Sequence, residues 1–215
     1  MAMWFSKNGG NDRILIPHQS QYNLTTAFSL CAWINMKTVT TGAGNYAEYI
    51  SKNDFYFLQY SVNNGGSEVG FQYNPSYLGI NDGIVPTANV WFHLVGTYNS
   101  AAAGNNFIIY RDGVLANSAR YTDTVLTTTT GLSIASLNSS RYFKGILADC
   151  RVYNRALSLQ EVETIYASQG HDGILYGLVG RWILDEGFDT QLAISGSSLA
   201  IDSSDYKNNG TVYAD

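Results

Sequence analysis

The chain has 215 residues, 45% hydrophobic and 13% charged, with 12 Lys and Arg against 17 Asp and Glu for a formal net charge of −5. That apolar content excludes a disordered chain, the small and scattered basic complement excludes a phosphate-tracking nucleic-acid surface, and no apolar run approaches the roughly 20 residues that span a bilayer. The opening Met1 to Gly10 runs into Gly and Asn rather than an apolar core, so neither a signal peptide nor an anchor is expected, and the length suits a single domain over residues 1–215.

Residues 28–34 (Phe-Ser-Leu-Cys-Ala-Trp-Ile), 55–62 (Phe-Tyr-Phe-Leu-Gln-Tyr-Ser-Val) and 90–98 (Val-Trp-Phe-His-Leu-Val-Gly-Thr-Tyr) are rich in aromatic and β-branched residues and read as strands. In the third, Phe92, Leu94, Gly96 and Tyr98 alternate with Trp91, His93, Val95 and Thr97, the period of two that sends successive side chains to opposite faces. Phe107 to Tyr110 follows, and Asp112-Gly113 before another apolar run predicts a two-residue hairpin, because Gly supplies the positive φ the turn requires. Further strands are expected at 131–135, 145–153, 178–184 and 210–213. Counting weaker ones there are about a dozen, which indicates an all-β, two-sheet antiparallel sandwich. Ser158-Leu-Gln-Glu161 is a capping box opening one short helix, with Leu159, Val162, Ile165 and Tyr166 on one face and Gly170 closing it. Its expected place is one end of the sandwich. Small polar loops are expected at 38–45, 63–67, 99–106 and 127–130.

Cys31 and Cys150 both sit in apolar strand runs, where buried thiols are the simpler expectation and a disulfide the alternative. His18, His93 and His171 are dispersed, which argues against zinc, and neither a Gly-x-Ser-x-Gly elbow nor a phosphate loop occurs. Glycoside hydrolysis needs two carboxylates at a defined separation about the scissile bond. Asp185-Glu186 with Asp189 clusters at a strand end and Glu161 with Glu163 belongs to the helix, so both read as solvated charge and no enzyme is expected. Most of the 16 tyrosines must be structural, but the loop Tyr73-Asn74-Pro75-Ser76-Tyr77 is the best exposed aromatic and amide cluster. Tyr73, Asn74 and Tyr77 are therefore candidate ligand contacts, since an aromatic ring offers a flat apolar face with a polar edge. Alternation puts Tyr56 and Tyr60 on one face of their strand and Phe57 and Gln59 on the other, which makes Gln59 and Gln72 further candidates on a sheet face.

Four blocks in order, Phe-Ser-Leu-Cys-Ala-Trp-Ile (28–34), Trp-Phe-His-Leu-Val-Gly-Thr-Tyr-Asn (91–99), Ile-Tyr-Arg-Asp-Gly-Val-Leu (109–115) and Asp-Cys-Arg-Val-Tyr-Asn-Arg-Ala-Leu-Ser (149–158), resemble the signature strands of laminin-G-like jelly rolls of the concanavalin-A-like class. The resemblance extends over most of Met3 to Ala167 and implies two stacked antiparallel sheets with a concave face, in a family whose domains usually bind glycans or proteins. Glycosidases on such sandwiches place Glu, Asp and Glu at alternating positions on one strand, and no such strand exists here. The tail, Gly177 to Gly187 followed by Asp202 to Val212, resembles the block that normally opens these domains, so residues 1–168 form a main body and 171–215 a tail. This order implies either a circularly permuted domain completed by its own tail or a tail donated to a neighbour, which would make a homo-oligomer. In related domains an Asp-Ser loop rich in Asn and Gly often holds a structural calcium. The matches here are Asp202, Asp205, Asn208 and Asp149, although Asp205 and Tyr206 stand where the family favours Gly and Asn. An Asx-rich turn without metal is the alternative.

Two functional classes follow. One is a non-catalytic binding domain displayed on a virus or phage particle, as capsid decoration or tail protein, with a glycan or another virion protein as partner. The other is a secreted or excised carbohydrate-binding lectin module. Virion surface or extracellular space is the expected location, and neither nucleic acid nor membrane is an expected partner.

Overall fold

A computed structural model describes residues 2–5, 10–39, 46–53, 55–72, 76–123, 125–185 and 198–214. Along the chain run β1 (Met3–Phe5), β2 (Arg13–Ile16), a 3-10 turn (Ser20–Tyr22), β3 (Ala27–Met36), β4 (Tyr46–Ser51), β5 (Tyr56–Ser61), β6 (Gly66–Gln72) and β7 (Tyr77–Asn81). Then come β8 (Trp91–Asn99), β9 (Phe107–Arg111), β10 (Val114–Ala119), β11 (Leu132–Ile134), β12 (Gly145–Tyr153), α1 (Leu159–Ser168), β13 (Leu178–Trp182), β14 (Ser198–Ala200) and β15 (Gly210–Tyr213). They form two antiparallel sheets: a seven-stranded one ordered β1-β12-β3-β8-β9-β10 with β13 also on β12, and an eight-stranded one ordered β14-β15-β2-β11-β4-β5-β6-β7.

Local sequence explains the tightest connection. Asp112 (φ 52) and Gly113 (φ 80) both take positive φ and join Arg111 to Val114 in direct register, the type I′ hairpin that matches strand twist. Between the sheets, Phe92, Leu94 and Tyr98 of β8 enter the main core while Val95 packs on the other side of its sheet, as the alternation requires. Phe28, Tyr98 and Phe107 from one sheet meet Tyr56 and Phe71 from the other in an aromatic cluster, with ring centroids 4.8 to 6.3 Å apart. The expected loop at 63–67 is shorter than its composition suggests. A turn over Val62 to Gly65, with Gly65 at φ 70, lets Ser61 pair with Gly66, so Gly66 and Ser67 already belong to β6.

Helix α1 carries the capping box in full, Ser158 accepting from the Glu161 amide and Glu161 reaching back to the Ser158 N–H. Its left-handed cap is Gln169 (φ 49), one residue before Gly170. Val162 and Ile165 pack on Cys31, Val95, Tyr110 and Tyr153, which lie on the side of the seven-stranded sheet away from the main core. The helix thus covers an outer sheet face rather than an end of the sandwich. Both cysteines are buried free thiols, Cys31 beneath the helix and Cys150 in the main core. The tail serves both sheets of the same sandwich, since β13 pairs with β12 and β15 pairs with β2. Among the described residues no helix is long and apolar enough to cross a membrane.

Candidate functional site

Register builds a polar row on the outer face of the eight-stranded sheet: Glu48 of β4 pairs with Gln59 of β5, and Gln59 with Glu68 of β6. Ala47, Tyr49, Leu58, Tyr60 and Val69, their neighbours in sequence, enter the core, so the row points away from it. In the adjacent row Phe57 pairs with Gly70, and Gly70 with Gly79 of β7. The Phe57 ring lies across Gly70, where a Cβ would meet its Cζ at 2.3 Å. The result is a groove of about 320 Å³, floored by Phe57, Gln59 and Glu68, with Tyr46 and Arg141 on the β4 side and Tyr77 on the β7 side. That volume sits at the lower end of the range for small-ligand sites.

Within the groove Gln59 Nε2 donates to Glu68 Oε1 at 3.1 Å, and the Asn64 amide donates to Glu68 Oε2. Arg141 Nη1 pairs with Glu48 Oε1 at 3.2 Å while its guanidinium lies 4.5 Å from the Tyr46 ring centroid. Burial pushes the Glu68 carboxyl above its usual 4.5, against the opposing pull of Asn64, Gln59 and Arg141. Gln59 Oε1 is buried and has no hydrogen-bond partner. Leaving such an acceptor unsatisfied costs about 1–3 kcal/mol, which a ligand hydroxyl donating to it would recover. An aromatic floor beside fixed acceptors and donors suits a ligand that is apolar on one face and hydroxylated at its edge.

The residues considered for calcium are arranged otherwise. Asp202 is fully buried, its Oδ1 accepting from the Arg181 N–H (2.8 Å) and the Ser204 N–H (2.9 Å), its Oδ2 from the Ser204 hydroxyl and the Asn208 N–H (both 2.8 Å). Asp149 faces two guanidiniums, Arg151 Nη2 at 2.6 Å and Arg181 Nε at 2.8 Å, and Asp205 is exposed. A carboxylate whose lone pairs already face N–H and O–H donors does not fit a cation, and this donor set describes an Asx-type turn. Among the described residues no group of three or more His, Cys, Asp or Glu is placed to hold a metal ion.

This architecture agrees with the family model for concanavalin A-like lectins and glucanases, which matches residues 8–163. The chain belongs to the concanavalin A-like lectin/glucanases superfamily. No curated protein matches it in sequence. Among solved structures, a Bacteroides ovatus protein assigned to carbohydrate binding superimposes with a TM-score of 0.72 at 18% identity, covering 94% of this chain and 57% of its own. Domain 4 of AbnA, a GH43 extracellular arabinanase from Geobacillus stearothermophilus solved with arabinotriose, gives 0.52 at 15% identity over 71% of each chain. The binding domain of botulinum neurotoxin DC, solved with rat synaptotagmin II, gives 0.56 at 14% identity over 74% of this chain and 40% of its own. This superfamily member therefore spans little more than half the length of the first of these structures.

Of the sequence candidates, Gln59 and Tyr77 meet in the groove, and Gln72 pairs with Tyr77 across β6 and β7 on the same face. Tyr77 opens β7 rather than ending a loop and is 53% exposed. Tyr73 and Asn74 lie outside the described residues, as do Glu186 and Asp189. Glu161 is committed to the helix cap and to Arg155, 2.6 Å away. Sequence reasoning missed Glu48, Glu68 and Arg141. Glu68 was accessible to it, because stepping back by twos from Gln72 through Gly70 reaches Glu68 on the same face.

Proposed function

We propose that this domain is a non-catalytic carbohydrate-binding module whose ligand lies in the groove over β4–β7. The observation that carries the proposal is Gln59 Oε1, a buried acceptor without a partner at the floor of an aromatic-lined groove. The two neighbouring carboxylates support binding over hydrolysis, since Glu48 is engaged by Arg141 and Glu68 by Gln59 and Asn64. Glycosidase carboxylates instead face the scissile bond, one of them as acid and the other as base or nucleophile. The carbohydrate assignment of the Bacteroides ovatus protein and the arabinotriose bound to the arabinanase domain point the same way. Screening the domain on a glycan array and measuring the strongest hit by calorimetry tests the reading. Gln59→Ala should weaken that hit at least tenfold with the melting curve preserved, and undiminished affinity would place the ligand elsewhere. We further propose that the module acts on a surface, a virus or phage particle in the first instance. Its support is compositional, 13% charged residues with 21 glycines, and immunogold labelling of purified particles tests it.

A further inference from the structure

A second and larger concavity, about 570 Å³, lies over the outer face of the seven-stranded sheet. Trp33, Trp91 and Ala148 line it, and register sets them on one face: Trp4, Ile146, Asn35 and Trp91 stand opposite one another across β1, β12, β3 and β8, and the next row on that face brings Ala148, Trp33 and His93 together. Met3, Leu147, Ile34 and Phe92 between them turn into the core, so three of the chain's four tryptophans share one outer face, while Trp182 is buried inside. Trp33 is held by Tyr166 of α1 (centroids 5.6 Å, planes 18° apart) and by His93 (5.0 Å), which burial keeps neutral with its pKa lowered to about 4. The Trp33 Nε1–H is buried and has no acceptor.

A bulge supplies the polar wall. The register of β12 on β3 shifts between Ala148 and Arg151, and Asp149 takes φ 49 there, which turns its carboxylate to Arg181 at the pocket edge. Gln169, also left-handed at φ 49, lies on the rim with Asp185. Charge is nearly balanced beneath the wall, with Asp149 and Asp172 against Arg151 and Arg181. Two indoles beside the exposed Asp185 carboxylate and the Gln169 amide offer a sugar ring an apolar face, an acceptor and a donor at once, and the nearly balanced charge beneath gives little preference for an anionic one.

We propose that this pocket is a second carbohydrate subsite, for a neutral oligosaccharide, on the opposite sheet from the groove. With sites on both outer faces the domain would engage two chains, and dense glycan would be held by avidity rather than by one strong contact. Tryptophan emission separates the two sites, because the groove is lined by Tyr46, Phe57 and Tyr77 and by no tryptophan. Arabinotriose, cellotriose and chitotriose are titrated to millimolar concentration while emission and calorimetry are recorded. At least one should give a saturable change in tryptophan emission that Gln59→Ala leaves intact. Trp91→Ala, at a position 41% exposed, should weaken the corresponding calorimetric site at least tenfold. Gln169→Gly suits the left-handed backbone and keeps every tryptophan, and it should weaken the fluorescence-detected site several-fold. Silent emission with all three sugars overturns this subsite, whether or not calorimetry shows groove binding. An emission change abolished by Gln59→Ala and kept in Gln169→Gly also overturns it.

Discussion

Replacing Gly70 with Ala tests how the groove floor is made. The added methyl would meet Phe57 Cζ at 2.3 Å, Phe57 Cε2 at 2.6 Å and the Leu78 carbonyl oxygen at 2.7 Å. The ring can move aside only by leaving the floor, whereas the carbonyl lies on the strand paired with β6 and cannot shift without straining that ladder. Overpacking of this kind costs about 1–3 kcal/mol, and in a domain this size each kcal/mol lowers Tm by about 2–4 °C. Urea titration should therefore show a lower midpoint with an unchanged slope. Gly104→Ala, where the new methyl meets nothing within 4 Å, is the control and should stay within about 0.5 kcal/mol of the parent. In a Phe57→Ala background the clash with the ring disappears and the one with the carbonyl remains. Gly70→Ala should then cost less, with a coupling of at least about 0.5 kcal/mol. Strict additivity, or a neutral Gly70→Ala, would refute a floor made by Phe57 lying across Gly70.

Other expectations follow from the same contacts. Because burial raises the Glu68 carboxyl above 4.5, the folded state holds that proton more tightly than the unfolded one. Its contribution is neutral below the unfolded value and becomes destabilising as pH rises through the folded value, so Glu68→Gln should flatten the fall of Tm with pH above 4.5. Asp202→Ala strips the acceptor from four donors and should cost at least about 1–3 kcal/mol by denaturant titration. Chelator should leave the parent Tm unchanged, and a fall of several degrees would show that an ion holds the turn. Tyr77→Ala, at a position 53% exposed, should stay within about 0.5 kcal/mol in stability while weakening the groove ligand in calorimetry.

What the sequence made legible was whatever depends on near neighbours in the chain. Asp112-Gly113 fixes its hairpin by local φ alone, and Ser158 with Glu161 closes a cap within one turn. The split between Phe92, Leu94 and Tyr98 on one side and Val95 on the other is simple alternation. The groove depends on registers between strands, which no single segment encodes. Glu48, Gln59 and Glu68 are separated in sequence by a masking mixture of polar and aromatic residues, and a bulge between Glu48 and Ile50 shifts β4 against β5. The helix was misplaced for a related reason. Val162 and Ile165 announce a buried face, but Cys31, Val95 and Tyr153, which receive it, come from three distant strands. The acidic tail loop suggested an ion because its carboxylates are visible in sequence, whereas the backbone N–H groups that occupy Asp202 are not.

The claim that matters most is that glycan enters the groove over β4–β7. Amide chemical-shift mapping of the labelled domain, titrated with the strongest glycan-array hit, tests it directly. The account predicts the largest shifts at Gln59, Glu68, Gln72 and Gly79, which share one outer face, together with Arg141 at its border. Saturable binding that leaves those amides unmoved would contradict it.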